Sequence, residues 1–216
     1  MVTTTPVTGR GEGTRRCILD EAALAFAHNG YAGTSLNDVI KQTGLTKGAF
    51  YFHFPSKEAL ALEVFRAKQE EWAAKALHAA SGKPRALDQM IEMMRATCTL
   101  HEEDPAARAV ARLCWELGED EQLAPQMTPF LTNWFDLLEG VFRRAQDEGD
   151  VRTDVDIKAI AEVCVSAFIG ISDVSHLVGA TGHLRKRAEL LMELVLPSIA
   201  TPRGKRSMRK VDGGQS

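Results

Sequence analysis

The 216-residue chain is 44% hydrophobic, 25% charged and 6% aromatic, a composition that excludes collagen-like, disordered and disulfide-scaffold classes. Its net charge of −3 and pI near 6.1 give no bulk reason to expect a nucleic-acid partner. That average hides an asymmetry: residues 1–60 carry +1, residues 61–200 carry −8 and residues 201–216 carry +4.

Residues 1–13 are rich in Thr and Gly without an apolar stretch, so they read as a disordered arm and not as a secretory signal. A first helix is predicted from about Thr14, with Ile18, Ala22 and Phe26 on one face, ending at Asn29-Gly30. Ser35 caps a short helix carrying Leu36, Val39 and Ile40, which Gly44 ends. Thr46 caps another that must stop before Pro55, because proline disfavours helical geometry at Phe54. A long helix over 57–80 follows, then longer ones over roughly 85–101, 105–117, 127–148, 155–179 and 183–199. Period-2 alternation is absent throughout, so the predicted class is all-α. The predicted organisation is a head over 14–60, a helical body over 61–200 and a basic, disordered tail over 201–216.

Several functions are disfavoured. The most apolar stretch, 157–178, is interrupted by Lys158, Glu162, Asp173 and His176, so no membrane span is expected. Cys17, Cys98, Cys114 and Cys164 lie in helical patterns and read as buried free thiols of a cytoplasmic protein. Cys98 and His101 form one ligand-like spacing with no second pair, so no metal is expected. No phosphate loop, nucleophile elbow or catalytic carboxylate pair stands out, and neither catalytic residues nor a cofactor are predicted.

Two short helices around a glycine-containing turn, supported by a preceding helix, fit a helix-turn-helix reader of double-stranded DNA, with the motif at about 35–54. On the second of them, Ala49, Phe50 and Phe54 suit the head's core. Thr46, Lys47, Tyr51 and His53 are left as polar reach. Gly48 inside a helix costs about 1 kcal/mol relative to Ala, a cost that close approach to a groove explains. Phe50, Phe52 and Phe54 read as core, with Phe52 alone keeping a minor chance of touching DNA.

Residues 14–65 resemble the DNA-binding head of the TetR family of bacterial transcriptional regulators. The resemblance is carried by Ile18-Leu19, Ala22-Ala23, Phe26, Gly30-Tyr31, Thr34-Ser35, Asp38-Val39-Ile40, the run Gly44 to Ala49, Tyr51, His53-Phe54 and Ser56-Lys57-Glu58 with Leu60. It implies that Lys47 donates to a guanine in the major groove, with Gly48 and Ala49 beside it on the reading helix. Thr46, Tyr51 and His53 are assigned to phosphate, as are Thr34, Ser35 and Lys57. Tyr51 packing in the head and His53 capping its helix stay open as alternatives.

In the body, the 155–179 stretch is apolar on almost every face and the 183–199 stretch adds Leu184, Leu190, Leu191, Leu194, Val195 and Ile199. The resemblance implies a homodimer formed through these two helices as a four-helix bundle. Trp134 is the favoured ligand contact, with Phe130, Trp115, Phe168, Thr97, Thr132 and Ser166 as further lining of a small-molecule inducer site. The segment from Lys47 to Ala61, and Pro129-Phe130 followed by Trp134, are similar to the γ-butyrolactone receptor subgroup of actinomycetes. A drug or acyl ligand, as in efflux or lipid regulators, is the alternative, and an all-α enzyme the remote one.

Overall fold

The computed structural model describes residues 8–104, 106–179 and 181–206. In chain order they form α1 (Thr8–Gly33), α2 (Leu36–Thr43), α3 (Lys47–His53), α4 (Lys57–Ala80), α5 (Ala86–Glu103) and α6 (Ala107–Gly118). Then come α7 (Ala124–Asp147), α8 (Ile157–Leu177), a short 3-10 turn (Thr181–His183) and α9 (Leu184–Ile199). One antiparallel bridge, Val151 to Ala200, is the only extended pairing among the described residues, and the fold is all-α. No helix among them is long and apolar enough to cross a membrane.

The chain divides into two compact units. The described part of Met1–Glu70 joins Pro105–Thr128 in the first, and Glu71–Asp104 joins the described part of Pro129–Ser216 in the second. In the first unit α1 packs against α2 and α6. Its buried stripe, Ile18, Ala22 and Phe26, recurs every fourth residue, the spacing that places side chains on one helical face. Val39 and Ile40 of α2, Phe50 of α3, Leu60 and Val64 of α4, and Val110, Leu113 and Leu117 of α6 are buried as well. In the second unit α9 packs against α5 and α8. Met90, Phe142, Ala161, Cys164 and Leu196 belong to its larger apolar cluster, and Cys98, Leu184 and Ala188 form a smaller one.

Three expectations are corrected. The predicted arm over 1–13 is helical from Thr8, where α1 begins, and residues 1–7 lie outside the described residues. Gly11 and Gly13 are poor helix formers, but extending a nucleated helix adds a hydrogen bond for each residue fixed. At the other end, residues 202–206 are helical and Gly204 is buried against Asp150 and Ala200, so the disordered tail does not begin at 201. The rest of that segment, 207–216, lies outside the described residues. Cys17 is exposed instead of buried.

Candidate DNA interface and effector site

The two short helices of the head are fixed by local chemistry. The Ser35 hydroxyl accepts from Asn37 N at 3.2 Å to cap α2, and Gly44 at φ 67° ends it in the left-handed region. The Thr46 hydroxyl accepts from Ala49 N at 3.3 Å to cap α3, and Phe54 N donates to Phe50 O at 3.0 Å to close it. Phe50 is fully buried and Phe54 nearly so. Consecutive residues turn by about 100° around a helix, so Gly48 and Phe52 lie opposite Phe50, with Tyr51 about 100° and Lys47 about 60° from it on one side. All four are exposed, and a Cβ added at Gly48 would meet no atom within 4 Å. Phe52 is 85% exposed, an outward aromatic beside a bare strip of backbone. Its ring touches His53 edge-on at 5.4 Å between centroids.

Other head residues fare differently. Thr46, Ala49 and Ser35 are exposed and His53 is half-buried. Tyr51 is 45% exposed and sets its ring edge-on to Phe50, 5.9 Å between centroids. Thr34 is corrected: it is buried, and its hydroxyl donates inward to Gly30 O at 2.7 Å, with Ala25 O at 3.2 Å. A phosphate outside the head is beyond its reach. Lys57 is half-buried. Its ammonium lies 4.5 Å from the centre of the Tyr31 ring and 3.4 Å from Ala32 O, against the last turn of α1. Tyr31 donates to Glu58 Oε1 at 3.1 Å; burial first and the Glu58 carboxylate second push its hydroxyl up to about 12.

The residues assigned to the inducer are distributed over both units and over two apolar clusters. Trp134 packs against the larger apolar cluster of the second unit, and Phe168 against the smaller one. The Thr97 hydroxyl donates to Met93 O at 2.8 Å and the Thr132 hydroxyl to Pro129 O at 3.0 Å, both helix-internal bonds. Thr132 and Ser166 are exposed, and Phe130 is half-buried. Trp115 is corrected, because it is 62% exposed and belongs to α6 in the first unit.

A different group does converge in the second unit. Phe168, Ser172 and His176 repeat every fourth residue on α8, and His101 of α5 meets this face. His101 Nδ1 is 2.9 Å from Ser172 Oγ. Its ring lies 4.8 Å from that of Trp72, 5.5 Å from Phe168 and 6.5 Å from His176. The Trp72 indole donates to Asp104 Oδ2 at 3.2 Å. The i, i+4 spacing on α8 was the available sequence signal; the match to Trp72 and His101 is long-range and left no trace in periodicity. No group of three or more His, Cys, Asp or Glu among the described residues could hold a metal ion.

Burial, and next the neighbouring His176, hold the His101 imidazole down at about 4, against an ordinary 6.5. Between those values the unfolded chain takes up a proton that the folded chain refuses. Stability therefore falls as pH drops from 6.5 to 4 and is unaffected by this group above that window. Urea titrations across the window should show a flatter pH dependence for His101→Gln than for wild type. Parallel curves would remove His101 as the cause.

Comparison with known proteins fits this geometry. Residues 18–64 match the sequence family described as bacterial regulatory proteins, tetR family, and residues 86–170 match the tetracyclin repressor-like C-terminal domain. A solved structure described as the molecular basis for control of antibiotic production by bacterial hormones is 34% identical. It superposes with a TM-score of 0.78, covering 88% of this chain and 98% of that one. The chain belongs to the TetR family. The TetR regulator TylP of Streptomyces fradiae is 28% identical, with a TM-score of 0.73 over 96% of this chain and all of TylP. The A-factor receptor protein of Streptomyces griseus is 29% identical over 192 residues, which are 88% of this chain. The match spans 64% of that receptor's length.

Proposed function

We propose that this TetR-family chain is a homodimeric repressor that reads a pseudo-palindromic operator and is released by a small uncharged effector of the γ-butyrolactone type. The observation that carries the DNA reading is the outward face of α3, where exposed Gly48 and Phe52 stand opposite fully buried Phe50 and exposed Tyr51 and Lys47 lie to one side of it. Lys47 suits guanine O6 and N7, and Phe52 suits the methyl group of a thymine. Thr46, Tyr51, His53 and Ser35 suit phosphate, which fixes register without reading sequence. Gly48 and Ala49 keep the helix surface low between them.

Dimerisation is supported by apolar surface left open on the last two helices. Leu177 is 85% exposed and Leu194 67%, with Val163, Val174 and Leu190 also exposed. A second copy would cover this face, and a two-fold dimer presents one head to each half-site of a palindrome, whose centres lie about 34–36 Å apart, one turn of duplex. The effector class is supported by the likeness to the A-factor receptor and by the polar groups of the second unit's aromatic cluster. Ser172 and neutral His101 bear no charge at neutral pH, which suits an oxygen-bearing but uncharged ligand. Release requires only that effector and DNA favour different head separations.

An operator selected from a random duplex library tests both halves. Lys47→Ala should lose about 1–3 kcal/mol at one G·C pair and relax specificity there. Replacing thymine by deoxyuridine should weaken wild type at one position per half-site and leave Phe52→Ala indifferent. Uniform losses across all sequences would overturn the reading roles. Adding a γ-butyrolactone with an alkyl side chain should dissociate the complex. Release by a long-chain acyl ligand or a cationic drug, and not by the lactone, would overturn the effector class.

A further inference from the structure

The helix that supports the reading pair breaks once. At Gly30 the backbone takes φ 75° and ψ 177° before the helix resumes to Gly33. A break of this kind leaves carbonyls without partners on one side and amides without partners on the other. Both sides are satisfied from α6 by one i, i+4 pair. Arg112 Nη1 donates to His28 O at 3.2 Å and to Ala27 O at 3.5 Å. Glu116 Oε2 accepts from Tyr31 N at 2.5 Å and from Ala32 N at 3.1 Å. The two side chains pair with each other, Arg112 Nε to Glu116 Oε1, at 3.4 Å. The signs are those the helix dipole favours, a cation at the carbonyl end and an anion at the amide end.

Where these two residues come from in the chain gives the arrangement a second meaning. Residues 86–170 match the C-terminal domain of the family, yet Pro105–Thr128 pack into the first unit with the reading helices. The turn that α6 grips leads directly to Thr34, which bonds back to Gly30 O, and to Ser35, the cap of α2. Lys57 and Glu58 of α4 hold the same Tyr31 from another side. An ordinary stabilising cap would need only one of these helices.

We propose that Glu116 is a positioning residue: through the Tyr31 and Ala32 amides it fixes the turn between α1 and α2 to α6, and so fixes the direction in which α3 points. The inference rests on the DNA-reading function proposed above. Its consequence concerns geometry more than affinity, because a head held rigidly tolerates only one separation of half-sites.

The test uses full-length protein and the selected operator with its half-sites at native spacing, one base pair closer and one base pair further apart. Each step moves a half-site by about 3.4 Å along the duplex and rotates it around the axis. Wild type should lose about tenfold or more on either altered operator, about 1.4 kcal/mol. Glu116→Ala should narrow that loss to about threefold or less, and Glu116→Gln, which keeps the shape but not the charge-assisted bond, should fall between them. If the Ala variant does not fold, the Gln variant carries the comparison. A spacing preference unchanged in both folded variants would overturn the positioning role, even if their stability fell. Wild type binding no duplex from the library would overturn the DNA reading and this inference with it.

Discussion

Gly30→Ala should lower stability by about 3 kcal/mol or more, moving the thermal midpoint down by about 6–12 °C for a chain of this size. Two costs combine. At φ 75° and ψ 177° the backbone occupies a region that is essentially restricted to glycine, and a side chain held there costs about 1–3 kcal/mol. The new Cβ would also stand 2.6 Å from Glu116 Oε1 and 2.8 Å from Arg112 Cζ, so both side chains must swing away. Doing so strips Tyr31 N, Ala32 N and His28 O of the partners that α6 supplies, and hydrogen bonds to charged groups contribute about 1.5–3 kcal/mol each. Gly33→Ala is the internal control. Its Cβ would meet only Asn29 Cβ, at 3.5 Å, an ordinary contact, so stability should change by about 1 kcal/mol or less. Circular dichroism melts of the two variants decide the matter. Equal midpoints would show that the break at Gly30 stores no special geometry.

The same position marks the boundary of what the sequence discloses. Asn29-Gly30 signals a glycine cap, and the left-handed φ is there, but the helix resumes beyond it. What holds the break lies more than eighty residues away in Arg112 and Glu116, and no local pattern joins them to it. Caps set by neighbours within four residues, Ser35, Gly44 and Thr46, are legible for the opposite reason. Thr34 was misplaced because its inward bond depends on where Gly30 turns the chain. Phe52 was readable and misread: Phe50 and Phe54, four apart, share a face, while a residue two positions on lies about 200° away. On the effector side, the sequence supplies aromatic and hydroxyl residues in plenty but not their convergence. Trp134 and Phe168 pack on separate clusters, whereas Trp72, His101 and Ser172 meet through contacts spanning three helices.

The larger penalty in the second unit is expected at Asp150, where Asp150→Asn should cost about 3–5 kcal/mol in urea unfolding, the usual price of breaking a buried ion pair. Asp150 is the only fully buried carboxylate among the described residues. It pairs with Arg85 at the start of α5 and with Arg203 beyond α9, whose Nε lies 3.4 Å from Oδ1. Its backbone is equally committed, since Asp150 N donates to Ala145 O at 2.8 Å and Asp150 O accepts from Thr201 N at 2.9 Å. Around it, Glu148 caps α5 at Ala86 N, 3.0 Å away. Arg152 N donates to Ile199 O at 2.9 Å, and the Thr201 hydroxyl donates to Gly149 O at 2.8 Å. One turn thus binds the start of α5, the end of α7 and the chain leaving α9. Asparagine keeps the shape but leaves Arg85, with its side chain only 24% exposed, facing a neutral group. Arg203 is 65% exposed and retains water, so Arg203→Ala should cost about 1 kcal/mol or less. The predicted order of destabilisation is therefore Asp150→Asn, then Arg85→Ala, then Arg203→Ala. If Arg203→Ala proved as damaging as Asp150→Asn, the stability of this turn would come from docking the residues after α9 and not from the buried charge.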